Sequence, residues 1–169
     1  MFHFNMITNL VKRYALVSAI AALTGCGAAQ DNTTTTATTT TAANAASSIN
    51  GESIIRGDAS NWLSNGRTYD EQRHSPLDQI NLDNVDDLSL AWYWNTGTKR
   101  GLEATPIVVD GIMFTSGAWS MVWAHDAKTG ELLWEFDPQV DRAWARYACC
   151  DVVNRGVAAW KGKIYICLL

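Results

Sequence analysis

The stretch Ile107-Val108-Val109-Asp110-Gly111-Ile112-Met113-Phe114-Thr115 has the form of a tight β-hairpin. Two short apolar, largely β-branched runs flank an Asp-Gly pair, which supplies the positive φ angles that a two-residue hairpin turn requires. The pattern returns 51 residues later, where 156–160, Lys161-Gly162 and 163–167 repeat the first run, the turn and the second run. The chain therefore contains one hairpin unit that is used twice.

Other short apolar runs on both sides of the first hairpin have the length of β-strands. Turn-forming residues separate them, and Asp126-Ala127-Lys128-Thr129-Gly130 is the clearest of these turns. Besides the two hairpins we expect a helical turn at 84–88 and strands at 90–94, 121–125 and 132–136.

A second internal repeat supports the first. Leu90-Ala91-Trp92 returns as Leu132-Leu133-Trp134, 42 residues further along the chain. Periods of about 40–50 residues with about four strands each are typical of β-propeller blades. The sequence therefore predicts an all-β, propeller-like fold, and a chance similarity between two hairpins is the alternative.

Length and composition exclude some classes of protein. The chain has 169 residues, enough for one modest domain, and a formal net charge of −4. This mild acidity argues against nucleic acid as a partner. Eight tryptophans are a high count, which requires an architectural or a binding explanation.

The N-terminal segment is typical of an export signal. The basic pair Lys12-Arg13 precedes the apolar run 14–23, which is too short to span a bilayer. Leu23-Thr24-Gly25-Cys26 resembles a bacterial lipobox, which predicts a signal peptide at 1–25 and lipidation of Cys26. Cleavage at Gly27-Ala28-Ala29 is the alternative. In both cases we expect a periplasmic protein, and lipidation would anchor it to a membrane.

The composition divides the rest of the chain in two. Residues 26–50 are dominated by threonine and alanine, and such a segment buries too little surface to offset its chain entropy. We expect it to be a disordered linker. Residues 51–169 have a globular composition and form the expected folded domain.

Cys149 and Cys150 are adjacent, and their redox state has two interpretations. Consecutive Cα atoms lie about 3.8 Å apart across a trans peptide, whereas disulfides normally need about 4.4–6.8 Å. A bridge between them would be strained and easily reduced. Two buried thiols are the alternative, but an oxidising periplasm would favour the disulfide.

Four segments of the folded part resemble one protein family. They are 124–134, 65–77, Gly101-Leu102-Glu103-Ala104-Thr105-Pro106 and Cys149-Cys150-Asp151-Val152-Val153-Asn154-Arg155-Gly156. Together they resemble the start of the pyrroloquinoline-quinone (PQQ)-dependent, or quinoprotein, methanol and ethanol dehydrogenases. The resemblance implies the first blades of an eight-bladed β-propeller.

The resemblance also implies a cofactor site. It assigns Glu103, Cys149, Cys150 and Arg155 to PQQ, a flat quinone with three carboxylates, and it implies a Cys149–Cys150 disulfide that stacks on the ring. Arg155 can hold a carboxylate through two charge-assisted hydrogen bonds. Because like charges repel, we expect Glu103 to accept from a protonated edge of the cofactor or to be held by Arg155.

The same resemblance implies roles in the contact between blades. Segment 124–134 is similar to the tryptophan-docking motif of this family, which other propellers share. In that motif the alanine and the tryptophan pack between neighbouring blades, while the aspartate and the glycine shape the turn. These roles fall to Ala124, Trp134, Asp126 and Gly130.

The implied function is oxidation of primary alcohols to aldehydes, with electrons passed to a periplasmic cytochrome c or a similar acceptor. Calcium or a lanthanide would act as a Lewis acid on the quinone. The family's metal ligands and its aspartate base come from later blades, so we expect an N-terminal fragment that is inactive alone. The alternative is a non-enzymatic propeller lipoprotein with a role in assembly, which would need neither Cys149-Cys150 nor Arg155.

Overall fold

The structure is a computed structural model that describes residues 46–168. The expected signal peptide at 1–25, the expected lipidation site Cys26 and most of the expected linker lie outside the described residues.

A four-stranded antiparallel sheet forms the centre of the described region. Its strands are adjacent in chain order, so that each strand pairs with the next one. This up-and-down sheet has the form of one propeller blade. The strands are β1 (Ile107–Val109), β2 (Ile112–Ser116), β3 (Val122–Asp126) and β4 (Leu132–Phe136).

A second hairpin confirms the predicted repeat of 51 residues. Strands β5 (Ala158–Trp160) and β6 (Lys163–Tyr165) pair in the register of β1 and β2, with Ala158 opposite Tyr165 where the first hairpin has Ile107 opposite Phe114. Both turns have positive φ angles, which are 48° and 79° in the first and 46° and 79° in the second. The second turn reaches this conformation with Lys161 in place of Asp110, at some conformational cost to a lysine.

The core lies on one face of the first sheet. Alternate residues of β1 and β2 point into it, as expected for strands with one buried face. Segments outside the sheet cover this face, including a helix, α1 (Gly51–Arg56). The buried cluster consists of Ala46, Ile49, Ile54, Leu63, Ile107, Val109, Ile112, Phe114, Ala124 and Ala159.

The folded part begins earlier than the boundary expected at residue 51. Ala46 and Ile49 are only 2% and 1% exposed, and Asn50 caps α1 through a reciprocal pair of hydrogen bonds with Ser53. Backbone amides of the second hairpin's turn donate to the carbonyls of Ile49 and Ala46, at 3.0 Å and 2.7 Å. This short segment therefore joins the first sheet to the second hairpin.

The strand expected at 90–94 is wrong. The segment has no regular secondary structure, and Leu90 and Tyr93 are exposed. A strand forms only where a neighbouring backbone accepts its ladder of hydrogen bonds, and no strand within residues 46–168 pairs with this segment. The helical turn expected just before it is confirmed as a 3₁₀ turn at Val85–Asp87.

The described helices are all short. The longest α-helix is the six-residue α1, and a six-residue 3₁₀ helix spans Arg142–Tyr147. None of the helices within 46–168 has the length and apolar content to cross a membrane.

Candidate cofactor site

Two segments that precede equivalent strands meet side by side. The amide of Thr105, just before β1, donates to the carbonyl of Arg155, just before β5, at 3.4 Å. Gly156 has a φ of 132°, and a Cβ atom there would lie 3.1 Å from the carbonyl oxygen of Thr105. A residue without a side chain is therefore required for the two segments to approach this closely.

This approach brings Glu103 and Arg155 together. A guanidinium nitrogen of Arg155 lies 3.4 Å from a carboxylate oxygen of Glu103, and the two side chains are 78% and 43% exposed. Contact with Arg155 was one of the two alternatives predicted from the sequence for Glu103, the other being contact with the cofactor. An ion pair this exposed stabilises the fold little, so Arg155 can exchange its carboxylate partner at small cost.

A cleft of about 740 Å³ opens beside this pair. Its wall carries a second arginine, Arg73, and side chains from β5 and from the chain after β6. Arg73 lies within a family-like segment of the sequence but had no predicted role, because nothing local to that loop shows what it faces. The lining includes Asn65, Arg73, Glu103, Thr105, Arg155 and Tyr165.

Cys149 and Cys150 do not line the cleft, but they lie close to its charged pair. Both side chains are exposed thiols, with sulfur atoms 2.9 Å apart. The hydrogen bond with Cys149 and the charge of that neighbour raise the pKa of the Cys150 thiol; Arg155 opposes this shift and Glu103 adds to it. The geometry is that of two thiols in contact, and the disulfide stays a prediction.

A buried asparagine anchors the segment that carries Arg155. The Oδ1 atom of Asn154 accepts hydrogen bonds from the hydroxyl of Ser116 at 2.6 Å and from the amide of Gly156 at 3.1 Å. Its Nδ2 group donates to the carbonyl of Cys167 at 2.9 Å. Sequence reasoning missed this role, although a polar residue between Val153 and the charged Arg155 is a weak signal of it.

The turn between β3 and β4 is built around one carboxylate. The Oδ1 atom of Asp126 accepts from the amides of Lys128 and Thr129, at 3.0 Å and 2.7 Å, and from the Thr129 hydroxyl at 3.0 Å. The hydrogen bonds from Thr129 hold the pKa of Asp126 below its ordinary value. The turn ends at Gly130, which has a φ of 76°.

Trp92 is the residue that packs on this turn. A Cβ atom on Gly130 would lie 2.5 Å from the Trp92 ring, and the indole nitrogen donates to the carbonyl of Ala127 at 3.1 Å. Trp134 instead contacts Phe114 within its own sheet, with ring centroids 5.9 Å apart. Trp92 was absent from the predicted docking residues, although its repeat of the Trp134 pattern is the signal that could have identified it.

His125 also contacts Trp92 and the turn. It is fully buried, and its Nδ1 atom lies 3.1 Å from the carbonyl of Gly130. Its ring stacks on Trp92 at 5.9 Å and meets Trp94 edge-on at 5.0 Å. Its Nε2 atom has no hydrogen-bond partner among residues 46–168, so this histidine contributes packing more than polar contacts.

No cluster suited to a metal ion is found in the region that the structure describes. Nowhere in that region do three or more histidine, cysteine, aspartate or glutamate side chains converge. The charged residues that line the cleft are two arginines and one glutamate, a charge balance that would favour an anionic ligand.

Comparison with known proteins identifies relatives of this arrangement. The family model of the PQQ-dependent glucose/ethanol/alcohol dehydrogenase β-propeller domain matches residues 62–166. The chain is 57% identical over 123 residues to the quinohemoprotein alcohol dehydrogenase ADH-IIG of Pseudomonas putida, an alignment that covers 72% of this chain and 17% of that protein.

Solved structures of a quinohemoprotein alcohol dehydrogenase and of a methanol dehydrogenase are also similar to this chain. The quinohemoprotein alcohol dehydrogenase of Comamonas testosteroni superposes with a TM-score of 0.74 and 50% identity, over 78% of this chain and 20% of that one. A europium-containing methanol dehydrogenase superposes with a TM-score of 0.64 and 36% identity, over 70% and 21%. The chain thus spans about a fifth of the length of these relatives.

The matched region contains both hairpins, the docking turn and all the residues that line the cleft except Cys167. The predicted resemblance and the predicted propeller fold are therefore confirmed, and the chain belongs to the PQQ-dependent glucose/ethanol/alcohol dehydrogenase β-propeller family.

Proposed function

We propose that this chain is the N-terminal part of an exported PQQ-dependent alcohol dehydrogenase that oxidises primary alcohols to aldehydes. One observation carries the proposal: Glu103, Arg155 and a second arginine, Arg73, converge on one cleft beside Cys149 and Cys150. These residues come from three separate segments of the chain, and only the tertiary fold brings them together.

The residues present suit the cofactor. PQQ carries three carboxylates, and Arg73 and Arg155 offer two guanidinium groups at one opening. The cleft volume of about 740 Å³ lies within the range of small-molecule sites, roughly 300–1,000 Å³. When bound, the quinone would supply the electron-accepting chemistry.

Each residue then has a distinct task. Arg155 would hold a carboxylate of the cofactor through charge-assisted hydrogen bonds, and Glu103, which contacts the same guanidinium, would help to orient it. Asn154 fixes the backbone from which Arg155 extends. Cys149 and Cys150, once oxidised to a disulfide, would place a polarizable sulfur surface against the flat ring.

The metal ion and the base belong to other parts of the proposed enzyme. Calcium or a lanthanide would be held by residues beyond this region, as would the aspartate that removes the alcohol proton. One of the similar solved structures is a europium-containing methanol dehydrogenase, which makes a lanthanide a realistic alternative to calcium. This chain's own contribution is cofactor binding, so we expect it to be inactive by itself.

Export and electron transfer complete the proposal. The basic and apolar N-terminal sequence and Cys26 support a periplasmic location, with a lipid anchor if Cys26 is modified. Two of the similar proteins are named quinohemoproteins, which supports a haem group, as in a cytochrome c, as the electron acceptor. A scaffolding lipoprotein is the rival function, and it gives no reason for two arginines to line one cleft beside Cys149 and Cys150.

The test is reconstitution of the full-length gene product with PQQ and either calcium or a lanthanide. We expect reduction of an artificial electron-acceptor dye that depends on a primary alcohol, and no activity without PQQ. Arg155→Met should weaken PQQ binding, whereas Arg146→Met, on the 3₁₀ helix at Arg142–Tyr147, should not. A protein that neither binds PQQ nor oxidises alcohols would favour the scaffolding role.

A further inference from the structure

The backbone that follows Cys150 is held in an unusual conformation. Asp151 has a φ of 74°, in the left-handed region that most side chains avoid and aspartate tolerates better than most. Its carboxylate accepts from the amide of Val152 at 2.8 Å and forms an ion pair with Arg100. The Val152 hydrogen bond, and Arg100 to a smaller extent, hold the pKa of Asp151 below its ordinary value.

Trp119 contacts Val152, the residue that follows Asp151. Its amide donates to the carbonyl of the fully buried Val152 at 2.9 Å. Trp119 and Ser120 both have positive φ angles, 64° and 58°. Two consecutive non-glycine residues keep positive φ angles only where the surrounding structure imposes this backbone conformation.

The ring of Trp119 joins both flanks of the cysteine pair. The guanidinium carbon of Arg100 lies 5.3 Å from the ring centroid and that of Arg142 lies 4.2 Å away, both within cation–π distance. Arg142 begins the 3₁₀ helix that leads to Cys149, and Arg100 holds Asp151 on the far side of Cys150. The indole therefore contacts the chain before the pair through Arg142, and it is connected to the chain after the pair through Arg100 and Asp151.

We propose that Arg100, Asp151 and Trp119 form a positioning unit that holds Cys149 and Cys150 in the conformation in which their sulfur atoms touch. The use of the pair against a cofactor rests on the proposed function, whereas the positioning is a property of the chain without cofactor. Arg100 is not among the residues that line the cleft and forms an ion pair with Asp151, so its effect on the pair passes through Asp151.

The first measurement is the thiol–disulfide equilibrium of the pair in the full-length protein without PQQ. In glutathione buffers, two cysteine thiols and one glutathione disulfide give one Cys149–Cys150 bond and two glutathione thiols. Mass spectrometry of the peptide that contains both cysteines gives the oxidised fraction. Methionine at position 100 keeps much of the arginine's length without its charge, and Asp151→Asn keeps an acceptor for the Val152 amide.

We expect Arg100→Met and Asp151→Asn each to shift this equilibrium about twofold to fivefold toward the dithiol, the size that a partly exposed ion pair can produce. The double variant should shift it no further than either single one, because the two side chains act through one contact. Arg146→Met is the matched control. Its guanidinium lies over Tyr147 on the same 3₁₀ helix, and its equilibrium should equal that of the wild type.

The second measurement is the ratio of the alkylation rates of Cys149 and Cys150 in the reduced protein. It tests the positioning role even if the wild type resists oxidation. We expect both variants to change this ratio and the control to leave it unchanged. Wild-type values for both variants in both measurements would overturn the positioning role. Failure of the wild type to bind PQQ would overturn the proposed function alone, since neither measurement contains cofactor.

Discussion

At the scale of single residues, Arg155 is the side chain that we propose holds an anionic cofactor at the cleft. Its exposed guanidinium already has one carboxylate within 3.4 Å, that of Glu103. A planar guanidinium has several N–H donors, so it can keep this contact and donate to a second carboxylate at another edge. The ammonium group of a lysine cannot bind two carboxylates with the same geometry.

Arg155→Lys should therefore weaken PQQ binding although the charge is kept. We expect a loss of about fivefold to thirtyfold, which corresponds to roughly 1–2 kcal/mol for one two-pronged contact. Isothermal titration of the full-length apoprotein with PQQ measures it. Arg146→Lys is the control, and equal affinities for the two variants would show that Arg155 does not touch the cofactor.

At the scale of elements, the turn between β3 and β4 is a docking surface for Trp92. Gly130 gives the indole its closest approach, and the Ala127 carbonyl accepts from the indole nitrogen. A methyl group at position 130 would overlap the ring, so this contact depends on the absence of a side chain.

Gly130→Ala should destabilise the fold by about 1–3 kcal/mol beyond the cost of its positive φ, the usual range for an overpacked contact. Gly97→Ala is a matched control because its φ is 69°, close to the 76° of Gly130, and no atom of the described region lies within 4 Å of the added Cβ. Denaturant unfolding measures both. If the two variants lose equal stability, Trp92 does not dock on the turn in solution.

The same turn predicts a pH dependence. The pKa of Asp126 is lowered from 3.8, so its charged form stabilises the folded state. This contribution is present above the unfolded value of 3.8 and is lost as the pH falls through the lower, folded-state value. Asp126→Asn should show a shallower loss of melting temperature below about pH 4 than the wild type, with Glu131→Gln as the control. Parallel acid profiles for wild type and Asp126→Asn would contradict it.

At the scale of the whole molecule, the segment before α1 connects the first sheet to the second hairpin, β5 and β6. Ala46 and Ile49 are buried in the cluster that contains residues of the first sheet and Ala159 of β5. Their carbonyls also accept from the turn of the second hairpin. The position of β5 and β6 therefore depends on a segment more than a hundred residues earlier.

Ile49→Ala should loosen this connection, with a loss of about 2–4 kcal/mol for a fully buried isoleucine. Ile55→Ala is the control, since Ile55 lies on α1 with 69% of its surface exposed and should change stability by less than about 1 kcal/mol. Hydrogen exchange of the β5 and β6 amides should accelerate only in Ile49→Ala. Unchanged exchange there would mean that the second hairpin is held by other contacts.

The sequence by itself determined the local features. Short apolar runs on both sides of a two-residue turn, and their repeat 51 residues later, predicted both hairpins, because strand pairing across a tight turn needs only neighbouring residues. The repeat of 51 residues and the family-like segments then indicated the propeller and its family. Segment 90–94 shows the limit of local reasoning, since a strand-like pattern forms no strand without a neighbouring strand to pair with.

Only the tertiary structure decided the contacts between distant segments. The contact of Glu103 with Arg155, the docking of Trp92 on Gly130 and the burial of Ile49 each join parts of the chain that no local pattern relates. Burial and ion pairing depend on which surfaces meet in space, whereas turn and strand propensities depend on adjacent residues. The hairpins could therefore be predicted from the sequence, while the cleft beside Arg155 required the fold.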